Sequence, residues 1–334
     1  MDFAALPNGG LATVFGGTGF VGRHVVRALA QAGWRVRAAV RNPNVAGFLV
    51  PAGGVGQVSA VQANVRYPDS IAAALRGADV AVNASGVAME SGRQTFDSVN
   101  VFGAGEIGKA AAHAGVSALV HVSGIGADSA SASRYVASKG RAEEAIRAAY
   151  PATTIMRPSV IFGPEDDVVN RFAALARMMP VLPLFGGGET KMQPVYVGDV
   201  AAAVVNALAD SKTAGRTYEL GGPQVMSLRD LASYVVATTG RRRFLAPVPF
   251  PVARAIARMT QIASAVTLGK FPQALTTSPD QIELLRHDNV VTAEASADHR
   301  DLAGLGVSAR ALDAIAPAYL ARYRKTGQFD AARA

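Results

Sequence analysis

Residues 11–24 read LATVFGGTGFVGRH, and this stretch decides the fold. Leu11 to Phe15 form an apolar run of strand length, and a helical pattern follows from Phe20 to Ala32. Between them, Gly16, Gly19 and Gly22 satisfy GxxGxxG, and Gly17, Gly19 and Gly22 satisfy GxGxxG. Glycine permits a tight strand-to-helix turn and lets bare backbone approach a diphosphate. The free N–H groups and the helix dipole then favour its negative charge. In this setting the spacing predicts a dinucleotide site; the alternative is a tight turn with no ligand.

Working outward, short apolar runs alternate with helical patterns. Strands are expected at Arg35–Val40, Val58–Gln62, Val80–Asn83, Ala118–Val122 and Thr153–Met156, with helices at Asp69–Arg76, Gln94–Ala114 and Ser133–Ala149. Such alternation implies βαβ units, and strands that are apolar on both faces imply a covered parallel sheet. The fold class is therefore α/β, a Rossmann-type doubly wound parallel sheet. After Arg157 glycine and proline cluster, and the region beyond Pro223 reads as mostly helical. The expected organisation is a nucleotide domain over 1–160 and a smaller, interleaved, mostly helical substrate or partner region over 161–334. Residues 189–220, which include a helix at Val200–Ala209 and a strand at Tyr218–Leu220, partly return to the first domain.

The end of the second strand usually reads the adenosine ribose, an acid favouring NAD and an arginine admitting a 2′-phosphate. Here WRVRAAV is followed by Arg41-Asn42, and no carboxylate occurs until Asp69. Arg41 is the candidate for the 2′-phosphate, with Arg23 or Arg37 as helpers, so NADP(H) is favoured over NAD(H).

Tyr135 and Lys139 lie four residues apart on an expected helix and so share a face. A lysine ammonium beside a phenol favours the phenolate, which suits proton exchange with a carbonyl or hydroxyl. Ser123, at the end of the preceding strand, reaches the same oxygen. These three are the catalytic candidates.

At these residues the sequence resembles the extended short-chain dehydrogenase/reductase superfamily, through GGTGFVG (16–22), NASG (83–86), VNVFGAGEIGKAA (99–111), HVSGIGAD (121–128), YVASK (135–139) and RPSVIFGPEDD (157–167). Three further segments, VLPLFGGGETKMQPVYVGDVA (181–201), YELGGP (218–223) and DQIELLRHDNVV (280–291), resemble one atypical branch. That branch contains a nucleotide-binding accessory subunit of respiratory complex I (alpha-subcomplex subunit nine) and its bacterial relatives. The resemblance implies that Gly16, Thr18, Gly19, Phe20, Val21 and Gly22 line the diphosphate turn. It places Asn64 and Val65 near the adenine, where the superfamily often has Asp. Ser85 and Gly86 would touch the central ribose region, Lys139 would hold the nicotinamide ribose, and Pro158 to Val160 would border the nicotinamide. It also implies a nucleotide held structurally, and partners in complex I or quinone biosynthesis. The competing expectation is a working oxidoreductase, epimerase or dehydratase on Tyr135, Lys139 and Ser123. Asn100 either supports the lysine through water or is a helix polar residue. Asp199 reads as a helix cap, and Glu165, Asp166 and Asp167 as a helix N-terminal acidic cluster or a substrate contact.

Composition bounds the rest. Half the 334 residues are hydrophobic and none is cysteine, which excludes disulfides, thiolate catalysis and thiolate-held metals. The five histidines are scattered, without metal-ligand spacing. Net charge is +8, which attracts anionic cofactors, partners or membranes. No nucleic-acid motif is present, and basic residues do not form one stripe. The segment after Arg241-Arg242-Arg243 carries Val252, Ile256, Met259 and Val266 at helical spacing between arginines. It reads either as a packed helix or as a basic amphipathic helix for a membrane or partner. The N-terminus shows no leader pattern, so the expected place is the bacterial cytoplasm, or peripheral on the inner face of its membrane.

Overall fold

The computed structural model describes residues 9–266, 276–325 and 327, with the side chains of 264–266 left out. The leader reading falls mainly on residues 1–8, and the Val266 side chain belongs to the omitted set, so both lie outside the described residues.

Two compact units emerge. One takes the chain up to Pro158, then Val197–Leu220 and Val291–Ala309. The other takes Ser159–Tyr196, Gly221–Val290 and the chain from Arg310.

The first unit carries β1 (Leu11–Phe15), α1 (Phe20–Gln31), β2 (Arg35–Val40), β3 (Val58–Gln62), α2 (Pro68–Leu75), β4 (Val80–Asn83), α3 (Phe102–Ala114), β5 (Ala118–Val122), α4 (Arg134–Ala149) and β6 (Thr154–Pro158). With the strand Thr217–Leu220 they form a seven-stranded parallel sheet, ordered Thr217–Leu220, β6, β5, β4, β1, β2, β3. Phe15, Ile71, Leu75, Ile107, Leu119, Ile146 and Ile155 pack between the sheet and α2, α3 and α4. Val120 and Val122 alternate with Leu119 and so face the other way. There α1 packs on the helix Val197–Ala209, which also touches β5 and β6. The chain order reverses between β1 and β4, and ligands of open α/β sheets bind beyond the carboxyl ends of strands at such a point.

Asp199 lies buried in the first turn of the helix Val197–Ala209 rather than at its cap. Its charge there complements the positive end of the helix dipole.

In the second unit the helices Val168–Met178, Leu228–Thr238 and Leu312–Leu320 share a core of Phe162, Val169, Leu231, Val235 and Leu320. The mostly helical reading misses strands: Met226–Ser227 pairs antiparallel with Lys191–Met192, and Phe244–Val248 pairs in parallel with Val181–Phe185. A five-residue apolar run holds too few residues for periodicity to distinguish strand from helix. In a two-stranded ladder each strand is an edge, so Pro183 and Pro247 are tolerated.

Asp166 resolves as structural. Its buried carboxylate accepts from the Gly163 N–H at 3.0 Å, the Asn170 N–H at 2.9 Å and the Tyr319 hydroxyl at 2.9 Å. Burial pushes the Asp166 carboxyl upward against those hydrogen bonds, and burial with the neighbouring carboxylate pushes the Tyr319 phenol upward too.

Candidate functional site

The turn after β1 is built from contacts only glycine allows. Gly16 has φ +77°, and a β-carbon there would lie 2.7 Å from the Ala84 carbonyl oxygen. One on Gly22 would lie 2.1 Å from the Gly16 carbonyl oxygen, and one on Gly17 2.9 Å from Ala38 Cβ. The Gly19 N–H donates to that Gly16 oxygen at 2.8 Å, and the Gly16 N–H to Ala39 at 3.1 Å. Gly19 caps α1 without a side chain, and the first turn holds no acid. The first N–H groups of α1, from Phe20 and Val21, therefore keep their positive end for a ligand. Arg23 braces the outside, donating to the Thr18 carbonyl at 2.8 Å and the Gly19 carbonyl at 3.3 Å, with its guanidinium 5.0 Å over the Phe48 ring.

Beyond β2, Arg41 is exposed and bonds the Gln94 side-chain oxygen. Arg37 is committed elsewhere. It donates at 2.6 Å to Ala74 and 2.9 Å to Arg76, closing the C-terminal carbonyls of α2, so helping Arg41 is not its role. Burial, then Arg35, lowers the Arg37 pKa. Asn64 forms a local turn, its Oδ1 accepting from the Arg66 N–H at 3.1 Å. Val65 packs on the main core, and a β-carbon on Gly103 would lie 2.9 Å from Val65 Cγ2.

The carboxyl ends of β4 and β5 are wired together. Asn83 Oδ1 accepts from the Ser85 N–H at 3.0 Å and from Ser85 Oγ at 2.5 Å. This fixes the amide, so its Nδ2 donates to His121 Nδ1 at 3.0 Å. His121 is then the tautomer protonated on Nε2, a buried atom without a partner. Burial, followed by Lys139 and Arg147, pulls the imidazole down to about 3, so it stays neutral at physiological pH. The sequence reading did not single out Asn83 and His121 as a pair. The available signal was one polar residue near the carboxyl end of each of two apolar strands, VAVN and ALVHV.

Tyr135 and Lys139 share the expected face of α4, with Lys139 Nζ 5.9 Å from the Tyr135 ring centroid. Phe96 meets that ring edge-on at 5.8 Å. Ser123 follows β5; its hydroxyl is buried and has no partner. Phe96–Val101 is a π-helical segment leading into α3, a feature common at functional sites. It carries Asn100, whose Oδ1 accepts from the Val87 N–H at 2.9 Å and whose Nδ2 donates to Ser138 Oγ at 3.0 Å. A β-carbon on Gly86 would sit 3.4 Å from both Asn100 Oδ1 and Lys139 Nζ, so these three groups converge. Pro158 closes β6, its carbonyl accepting from the Ile125 N–H at 3.1 Å. Val160 falls in the second unit and packs on that unit's core. Sequence reasoning also missed the ion pair below α4, where Arg157 donates to buried Glu143 at 2.9 and 2.7 Å.

The sheet order and the glycine turn at its reversal point define a Rossmann-type protein of the short-chain dehydrogenase/reductase kind. The chain belongs to the NAD dependent epimerase/dehydratase family, whose model matches residues 12–221. It is 37% identical over 291 residues to the Arabidopsis thaliana mitochondrial NADH dehydrogenase [ubiquinone] 1 alpha subcomplex subunit 9, covering 86% of this chain and 72% of that one. A ceramide reductase of Caulobacter vibrioides is 36% identical over 196 residues, 59% of this chain and 60% of that protein. Among solved structures, gox2253 superposes with a TM-score of 0.70 at 22% identity, covering 95% of this chain and 99% of that one. Among the described residues, no helix is long and apolar enough to cross a membrane, and no cluster of His, Asp or Glu could hold a metal ion.

Proposed function

We propose that the chain holds NADP(H) as a resident nucleotide and serves as a structural or assembly subunit at a respiratory or quinone-handling complex. The observation that carries the nucleotide is the cradle at Gly16, Gly17 and Gly22, where side chains are excluded, beside Gly19, which leaves the end of α1 bare. The phosphate preference rests on exposed Arg41 beyond β2, with no carboxylate beside it in sequence. Thr18, Phe20 and Val21 complete the diphosphate turn, Asn64 and Val65 flank the adenine, and Ser85 and Gly86 the central ribose. Pro158 borders the nicotinamide. The accessory role is supported by the likeness, over most of the chain, to a complex I subunit.

A second reading is favoured by one specific observation, the buried and unpartnered hydroxyl of Ser123. Such a group suits donation to a substrate oxygen. In that reading Tyr135 moves a proton at the same oxygen, Lys139 holds the ribose, and a bound nicotinamide supplies hydride chemistry.

Tyr135→Phe separates the two. Under the accessory reading, the variant folds, keeps its nucleotide with slow exchange, and complements a deletion strain as well as the parent does. Lost complementation with unchanged nucleotide affinity would overturn that reading in favour of the enzyme.

A further inference from the structure

The helix Phe250–Val266 buries one narrow line and leaves another open. Ala253 and Ala257 are fully buried, and Thr260 Oγ1 donates to the Thr277 carbonyl at 3.2 Å. Val252, Ile256, Met259 and Ile262 are exposed by 50, 36, 70 and 63%. At about 100° per residue these four share one arc, a stripe about 15 Å long. Single exposed apolar residues are ordinary, but a contiguous stripe marks an interaction surface.

Charge says what that surface meets. The second unit holds sixteen Lys and Arg against ten Asp and Glu, so six of the chain's eight net positive charges fall there. Residues 231–266 contain five arginines and no acid. Arg254 is paired with Glu283 at 2.6 Å, on the short helix Pro279–Leu284 that packs against this one and also carries Asp280. Arg241 and Arg243 donate to the carbonyls of Tyr323 and Ala176, and among the described residues neither is in an ion pair with a carboxylate. Arg242 and Arg258 are exposed, Arg258 at the flank of the stripe. A second copy docked face to face would bring a second Arg258 to the same seam, with no acid on the helix to meet it. An anionic surface with an apolar interior matches both features.

We propose that the helix Phe250–Val266 lies in the plane of an anionic phospholipid bilayer. Val252, Ile256, Met259 and Ile262 enter the acyl boundary and Arg258 stays at the headgroup phosphates. This docking does not depend on the nucleotide site.

Cosedimentation of the full chain with vesicles tests it, comparing phosphatidylcholine alone with phosphatidylcholine mixed with phosphatidylserine. Binding is expected to the mixed vesicles only, and to weaken with salt. Met259→Gln with Ile262→Gln should reduce it on the order of tenfold or more, because the apolar transfer is lost. Arg258→Gln should reduce it about fivefold, the share of one surface arginine. All three side chains are exposed, so both variants should keep the parent's circular dichroism and nucleotide uptake. The proposal is overturned if the mixed vesicles are not bound, if both vesicle types bind alike, or if the double substitution leaves binding unchanged. A concentration-dependent dimer abolished by that substitution would overturn it too, by assigning the face to a second copy.

Discussion

Gly22→Ala is expected to destroy nucleotide uptake and to destabilise the first unit together. The added methyl would stand 2.1 Å from the Gly16 carbonyl oxygen and 3.0 Å from the Gly17 Cα. Both are backbone atoms of the same turn, so no side chain can swing away to make room. Gly16 is itself held by its bond to Ala39 and would press on the β4 loop if it moved. Overpacking of this kind costs roughly 1–3 kcal/mol or more, read as a lower denaturation midpoint. Gly19→Ala is the informative companion. Gly19 has φ −67°, and its β-carbon would come no closer than 3.1 Å to a neighbour. The fold should survive that change nearly intact, while the methyl occupies the exposed mouth of the turn where a diphosphate must approach. Loss of stability for Gly22→Ala with loss of binding alone for Gly19→Ala is the expected pair, measured by denaturant titration and calorimetry. Equal stability and normal nucleotide uptake in both variants would contradict it.

Arg157→Ala should produce the largest loss of stability that leaves the glycine turn untouched. The Glu143 side chain is 4% exposed and receives two guanidinium bonds from Arg157, with the Ala127 carbonyl receiving a third. The hydrogen bond to Glu143 holds the Arg157 pKa up against burial. Removing the arginine leaves a buried carboxylate without its counter-ion, at a cost of about 3–5 kcal/mol. Glu143→Gln with Arg157→Met removes both charges and should recover much of that loss. Urea unfolding followed by circular dichroism measures both. The ion-pair argument fails if Arg157→Ala is as stable as the parent.

The glycine turn and strands β1 to β5 were legible because their signals are local. The turn is seven residues of one sequence stretch, and strands covered on both faces read as plain apolar runs. The Tyr135–Lys139 face was legible for the same reason, since helical spacing alone puts the two together. The Asn83–His121 bond was not, because it joins residues 38 apart that only strand pairing brings side by side. Phe244–Val248 was missed because its partner strand lies far upstream at Val181–Phe185. The helix Phe250–Val266 shows a different limit. Its apolar stripe was visible at helical spacing, but the packing chose the alanine line at Ala253 and Ala257 for burial, a choice the spacing does not contain. Arg37 is similar: its place on β2 suggested a phosphate contact, while its side chain caps the end of α2.

Titration calorimetry of the purified, nucleotide-stripped chain with NADPH and with NADH, repeated on Arg41→Ala, tests the central claim most directly. The expected result is saturable binding of both nucleotides, tighter for NADPH, with the preference shrinking on the order of tenfold in the variant as one charge-assisted phosphate contact is lost. A folded chain that gives no binding heat with either nucleotide would contradict the account.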